Sequence, residues 1–231
     1  MEKNAFELLN EHILISRETF ERLSLYHDLL IKWQSKINLV SNDSLKDIWR
    51  RHFLDSLQLI PYIDDKEKTI VDLGSGAGFP AMALAIAGYK NIHLIESDVR
   101  KISFLREVAR VTNANVTLHN CRIEEWSSCG VQSTSTGSNM TVRDPALAFA
   151  PQDDIIFTSR ACASLDKLLH LIYNKVSYET ICLFHKGKNY SIEDAEASVN
   201  WQYDTEISQT IVDSGSEASG VIMRISNIKK R

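Results

Sequence analysis

An α/β fold is predicted, in which a doubly wound, mostly parallel sheet follows a helical N-terminal segment and closes with an antiparallel C-terminal hairpin. Three observations predict it. Apolar residues between Phe6 and Trp33 recur at helical spacing. From residue 69 onward, short apolar runs alternate with helical patterns across short connections, the signature of parallel strands covered by helices on both faces. Near the end, two strand-like runs flank a polar, glycine-containing stretch.

Each element follows from its own pattern. Residues 5–34 place Phe6, Leu9, Ile13, Phe20, Leu23, Leu25, Leu29, Leu30 and Trp33 on helical stripes, which predicts two helices. A third is predicted over 44–59, with Asp43 or Ser44 as its N-cap and Pro61 just beyond its end. The alternating part then runs strand 69–73, helix 80–87, strand 92–95, helix 100–111 and strand 116–119. It resumes with strand 154–158, helix 164–173 and strand 180–184, and runs 201–207 and 221–225 form the hairpin. Residues 127–152 break the rhythm: they contain Ser-Thr-Ser-Thr-Gly-Ser and few apolar positions before Ala146. That stretch is expected to be a flexible surface insertion, a spacer rather than a catalytic lid. The expected organisation is a helical segment 1–64 packed on a main domain 65–231.

Composition excludes several classes. A chain of 231 residues, 44% hydrophobic and 24% charged, can bury one sizeable core and carry a small appendage. No apolar run approaches the roughly 18 residues that span a bilayer, and Met1-Glu2-Lys3-Asn4 does not open a secretory leader. Cys121, Cys129, Cys162 and Cys182 lack Cys-x-x-Cys spacing and are expected to be reduced thiols in a cytoplasmic protein. His27, His93, His119, His170 and His185 show no metal-ligand spacing, so no metal is expected. A net charge of -4 argues against indiscriminate nucleic-acid binding, although a local basic face stays open.

The strongest local signal is Val71-Asp72-Leu73-Gly74-Ser75-Gly76-Ala77-Gly78-Phe79-Pro80, which follows a strand and opens a helix. Glycines at Gly74, Gly76 and Gly78 let backbone approach a ligand closely. No Gly-Lys-Ser/Thr follows, which excludes a nucleoside triphosphate loop. In a dinucleotide fingerprint the last glycine would fall on Phe79, a poor substitute. Gly-x-Gly-x-Gly after an acid instead resembles the first motif of class I S-adenosylmethionine-dependent methyltransferases, whose Rossmann-like sheet fits the predicted topology. Glu96 ends the second strand 22 positions after Gly74, where an acid accepts both ribose hydroxyls of a bound adenosine. Such an acid repels a 2′-phosphate, which disfavours NADP; NAD stays open, weakened by Phe79 and by the lack of residues suited to hydride chemistry.

Beyond the loop, several blocks resemble the bacterial 16S rRNA guanine-N7 methyltransferases, the glucose-inhibited division protein B family. They are Trp33-Gln34-Ser35-Lys36-Ile37-Asn38-Leu39-Val40-Ser41, Arg51-His52-Phe53-Leu54-Asp55-Ser56-Leu57 and the glycine loop itself. Others are Lys101-Ile102-Ser103-Phe104-Leu105-Arg106, Arg122-Ile123-Glu124-Glu125-Trp126, Ser159-Arg160-Ala161 and Lys186-Gly187. The resemblance runs from about residue 25 to the end, and its first two blocks are the most specific because they lie outside a generic cofactor fold. It implies that Gly74 and Phe79 line the cofactor loop, that Ile123 and Glu124 flank the adenine, and that Arg160 stands beside cofactor and substrate. It also implies S-adenosyl-L-methionine as cofactor and N7 of one guanosine, position 527 in conventional 16S rRNA numbering, as acceptor. The partner is then 16S rRNA or the small ribosomal subunit, met by a monomer. Two departures stand out: Ala81 replaces the usual glycine after the proline, and residues 127–152 replace a short connection.

The residues suit that chemistry. Methyl transfer from a sulfonium needs alignment more than acid-base help, and guanine N7 has no proton to lose. The fourth strand ends in Thr158-Ser159-Arg160-Ala161, without the Asn/Asp-Pro-Pro-Tyr/Phe of amino-methyltransferases. Cys162 has no evident activating partner and is expected to be a buried thiol. Arg160 is the leading substrate-side candidate, with a positioning role, and a surface ion pair with Asp166 or another acid is its alternative. Asp55 and His52 either pair locally and brace their helix against the cofactor loop or have a purely structural role, and Asp72 either approaches the methionine ammonium or caps the turn. Arg50, Arg51, His52, Arg100, Lys101, Arg106, Arg110, Lys186, Lys188 and Lys229-Lys230-Arg231 are candidate phosphate contacts. Trp33, Trp49 and Trp126 are expected to be core, with a base-stacking platform as the alternative. The rival functions are a methyltransferase for another RNA or a small molecule, and a cofactor-binding regulator without turnover.

Overall fold

A computed structural model describes residues 2–128, 132–133, 155–212 and 220–231. The N-terminal segment opens with α1 (Glu2–His12) and α2 (Arg17–Gln34), the latter capped by Ser16, whose hydroxyl accepts from Thr19 N at 3.0 Å. Gln34 then organises the following loop. Its Oε1 accepts from Leu39 N and Val40 N (3.0 and 3.1 Å), and its Nε2 donates to the Val40 carbonyl at 2.9 Å. One side chain therefore closes the turn that presents Leu39, Val40 and Ser41.

The single helix predicted over 44–59 is not formed. The chain runs through a 3-10 turn (Ser44–Asp47), a π-helical stretch (Trp49–Leu54), the short α3 (Asp55–Leu57) and a further 3-10 turn (Ile60–Tyr62). Neither Asp43 nor Ser44 caps it: Asp43 makes no capping hydrogen bond, and the Ser44 hydroxyl donates to the Ser41 carbonyl at 2.7 Å. Over one or two turns, apolar spacing cannot separate periods of 3.0, 3.6 and 4.4 residues; tertiary contacts decide. A π turn leaves carbonyls free for partners outside the helix.

Then β1 (Thr69–Leu73), α4 (Ala81–Ile86), β2 (Asn91–Ile95), α5 (Val99–Thr112) and β3 (Val116–His119) follow as expected. Asp98 caps α5 by accepting from Arg100 N at 2.8 Å, and Asn113 ends it in the left-handed region (φ 51°). The insertion predicted at 127–152 lies almost wholly outside the described residues; within it, β4 (Gln132–Ser133) pairs antiparallel with β3. The chain continues with β5 (Ile155–Arg160), α6 (Leu165–Ile172), β6 (Ile181–Lys186), α7 (Tyr190–Asn200), β7 (Trp201–Gln209) and β8 (Val221–Lys230). Helix α7 was not expected: it is rich in Ser, Asp and Glu and buries only Ala197, so its apolar signal is faint.

The sheet order is β4-β3-β2-β1-β5-β6-β8-β7, with β3 to β6 parallel through the centre and β8 and β7 antiparallel at one edge. Order reverses between β1 and β5, so a crevice opens at the C-terminal ends of these two strands. Alternation along β1 sends Ile70 to one face and Val71 and Leu73 to the other. On the first face, Leu9, Leu23, Leu30 and Leu54 join α4 and α5 in a single apolar cluster, so residues before 64 share the core of the sheet. The other face packs Leu165, Leu168, Leu169 and Trp201 against Phe157 and Phe184. Full burial of each such side chain contributes about 1.5–3 kcal/mol.

Candidate active site

A cavity of about 720 Å³ occupies that crevice, within the roughly 300–1,000 Å³ of small-molecule sites. At its β1–β2 end, the loop after β1 turns on Gly74 (φ +67°), where a Cβ would collide with Cys162 Sγ. Gly76 faces open space: a Cβ there would meet only the Gly74 carbonyl, at 3.9 Å. Glu96, buried after β2, accepts from Gly76 N and Asp98 N at 2.8 Å each. A carboxylate offers about four acceptor positions, so two bonds orient it and leave capacity for a ligand. Beneath the loop, Asp72 is fully buried, with Oδ1 accepting from the Thr158 hydroxyl at 2.8 Å and Oδ2 without a partner. Burial pushes its carboxyl up to about 7, against the pull of Thr158 and Arg160.

At the β5–β6 end, Arg160 finishes β5 and meets the π turn of the N-terminal segment. Its Nη1 donates to the Arg51 carbonyl and to Asp55 Oδ2, both at 3.0 Å, and its Nη2 donates to His52 Nδ1. The guanidinium also lies 5.1 Å from the centre of the Phe79 ring, on which His52 stacks. Both ion-pair side chains are mostly shielded (18% and 14% exposed). Burial, with the charges of Arg160 and Arg51, lowers His52 to about 3, so it is a neutral acceptor. His185 Nε2 donates to the Asp55 carbonyl at 2.8 Å, and Gln58 Nε2 donates to Asp55 Oδ1 at 2.7 Å. Lys186 Nζ binds Glu193 Oε2 and the Ala163 carbonyl, both at 2.8 Å, and so holds the loop after β5. In that loop Ala161 sits at φ +53°, a strained position for a residue with a Cβ.

Of the residues singled out from sequence, Gly74, Gly76, Phe79, Glu96 and Arg160 line one cavity. Gly78, Ile123 and Glu124 do not. Gly78 packs inward, where a Cβ would lie 2.8 Å from Leu105 and 2.9 Å from Tyr26. Ile123 begins a 3-10 turn (Ile123–Ser128) and reaches within 4.0 Å of the Gly74 Cβ position, whereas Glu124 is exposed. A local pairing of Asp55 with His52 is replaced by their joint hold on Arg160, which pairs with Asp55 and not with Asp166. Cys162 is exposed, not buried, and its partly desolvated sulfur near Asp72 has a raised thiol pKa, contrary to an activated nucleophile. Trp49 stacks on Phe20 and His27, Trp33 packs on Phe104, and Trp126 is buried, so all three serve packing. Gln58 escaped the sequence reading, and His185 entered it only as a histidine without metal-ligand spacing, because their bonds to Asp55 join residues that no local motif links.

A sheet of this order, with a glycine loop after β1 facing an acid after β2 across the crevice, defines a class I methyltransferase fold. M. jannaschii TYW2, solved in complex with AdoMet, has the same fold, with a TM-score of 0.50 and 12% identity over 85% of this chain and 80% of that one. The profile of the GidB family, rRNA small subunit methyltransferase G, matches residues 19–222. Ribosomal RNA small subunit methyltransferase G of Paramagnetospirillum magneticum is 40% identical over 216 residues, 94% of this chain and 92% of that protein. The protein of the same name from Rhodospirillum centenum is 41% identical over 217 residues, 94% and 88% of the two chains. The chain belongs to the rRNA small subunit methyltransferase G family.

Proposed function

We propose that this chain, acting as a cytoplasmic monomer, transfers a methyl group from S-adenosylmethionine to N7 of one guanosine of 16S rRNA, in the free RNA or the small subunit. Residues 1–64 form an appended segment that completes the site of the domain 65–231. The observation that carries the reading is the convergence, on one cavity, of the loop from Gly74 to Phe79 with the Arg51–Asp55 block and Arg160. Family membership supports the rRNA substrate.

The residues present fit the cofactor. The open face of Gly76 and the spare acceptor positions of Glu96 match backbone contact and ribose hydroxyls, and the orphaned Asp72 Oδ2 lies beneath the same loop. When bound, S-adenosylmethionine supplies a sulfonium-activated methyl group. Glu96 would hold the ribose, Gly74, Gly76 and Phe79 the loop contact, and Ile123 and Glu124 the adenine edge, with Gly78 packing the loop on α5 from beneath.

No residue has to remove a proton, because guanine N7 attacks with a free lone pair. The polar groups at the β5–β6 end therefore position and balance charge. His52 is held neutral, and Asp55 offsets the Arg160 charge, so neither opposes the positive charge that the methylated base acquires. Arg160, already bound on both terminal nitrogens, acts as a fixed wall of the site.

The test is incorporation of labelled methyl groups into protein-free 16S rRNA and into small-subunit particles, with the modified base identified by mass spectrometry. N7-methylguanosine at a single site is expected. Cofactor binding with no incorporation into either substrate would overturn the rRNA assignment and favour a regulator without turnover.

A further inference from the structure

Two pairs of adjacent basic residues each place one member on the cavity, and in each pair the two side chains are used differently. Arg50 Nε lies 3.6 Å from Asp47 Oδ2, and Arg100 Nη2 lies 3.0 Å from Asp98 Oδ2. Their neighbours, Arg51 and Lys101, line the cavity. Of the Lys and Arg residues that do so, Arg160 is paired with Asp55 and Lys186 with Glu193, while Arg51 and Lys101 have no carboxylate partner among the described residues. Elsewhere, Lys46, Lys90, Arg110 and Arg224 are paired too.

The two unpaired cations are anchored by their backbones. The Arg51 carbonyl is bound by Arg160 Nη1 at 3.0 Å, which sets that residue over the end of β5. Lys101 stands in the first turn of α5, beyond the end of β2, and that turn contains no acidic residue. The N-cap carboxylate of Asp98 offsets the helix dipole at this end and is held by Arg100, which leaves Lys101 as the unpaired cation of the turn. Strands β2 and β5 flank β1 on opposite sides. At a strand spacing of about 4.8 Å, their ends lie about 10 Å apart, so Arg51, tied to Arg160 at the end of β5, and Lys101, beyond β2, approach the cavity from opposite sides of β1.

We infer that Arg51 and Lys101 are phosphate contacts for the substrate RNA, one on each side of the nucleotide whose base enters the cavity. The inference rests on the rRNA methyltransferase reading above and adds to it the residues that grip the backbone. Arg160 and Lys186, neutralised by their own carboxylates, take no part in that grip. Neither does Lys229-Lys230-Arg231: β8 runs antiparallel to β6, with Val221 opposite Lys186, so its C-terminal end lies at the opposite end of the strands from the cavity. Contacts of this kind set affinity and register without reading sequence.

The experiment is filter binding of labelled 16S rRNA over a KCl series, together with calorimetric binding of S-adenosylmethionine, for the full-length protein. Arg51→Ala and Lys101→Ala are each expected to weaken RNA binding roughly tenfold at moderate salt and to reduce the slope of log K against log salt by about one. Cofactor affinity is expected to stay within about twofold, Arg51→Lys to restore the slope, and Arg50→Ala and Arg100→Ala to keep it. An unchanged slope in the first two variants overturns the inference. So does an equal slope loss in Arg50→Ala and Arg100→Ala, or a loss of cofactor affinity in Lys101→Ala. A wild-type protein that neither binds nor methylates the RNA defeats the proposed function itself, which is a separate outcome.

Discussion

At the β1–β2 end of the cavity, Gly74, Gly76 and Glu96 are held by backbone conformation and by hydrogen bonds within one βαβ unit, Glu96 and Gly76 being only 20 positions apart. At the β5–β6 end, Arg160 is held by residues 105 to 109 positions away, and His185 reaches Asp55 across 130. One end is a local motif that any sheet of this order can carry. The other exists only because a helical segment in front of the sheet folds back over it. The difference teaches that this site divides into a generic half and a half particular to the chain, and that the particular half depends on the N-terminal segment.

The largest effect is expected at the generic end. Gly74→Asp forces a side chain into a left-handed position and onto Cys162, and should weaken S-adenosylmethionine binding roughly 100-fold or more while circular dichroism stays native. Normal cofactor affinity in that variant would break the division. Next comes Asp55→Asn, which leaves the shielded Arg160 charge uncompensated. Intermediate between exposed and buried pairs, this should cost about 2 kcal/mol, roughly 30-fold in kcat/KM for rRNA methylation, with cofactor affinity within about threefold. Equal loss of cofactor binding would show that the two ends are one unit.

A smaller effect sharpens the comparison by sign. Asp72 is raised from 3.8 to about 7, so its contribution to stability is fully present below its unfolded value and is lost as pH rises toward 7. His52 is lowered from 6.5 to about 3, so its contribution is fully present above its unfolded value and is lost as pH falls toward 3. Thermal melts between about pH 4 and pH 8 should therefore show Asp72→Asn gaining on the wild type as pH rises, and His52→Gln gaining as pH falls, by several °C each. The same sign in both would contradict the burial of both groups in their neutral forms. The smallest effect is expected at Glu124, exposed and outside the cavity lining: Glu124→Gln should weaken cofactor binding by about threefold or less, within the range of a surface contact.

Strands were legible because burial on both faces of a parallel sheet demands continuous apolar runs such as Ile155-Ile156-Phe157 and Ile181-Cys182-Leu183-Phe184. The glycine loop was legible because its positive φ angles restrict the residue type at each position. Helix α7 was not, since a helix that buries one alanine leaves almost no periodic trace. Nor was the π turn of Trp49–Leu54, whose Arg51 carbonyl is bound by Arg160, 109 positions further on.

By itself, then, the amino-acid order determined the strand-helix succession, the loop from Gly74 to Phe79 and the acid at Glu96, because each is written in residues close together in the chain. The partner of Arg160, the neutrality of His52 and the choice of Arg51 and Lys101 over Arg50 and Arg100 as unpaired cations were decided only in the folded molecule. Charge pairing and desolvation act through space, and the sequence does not state which distant residues will share it.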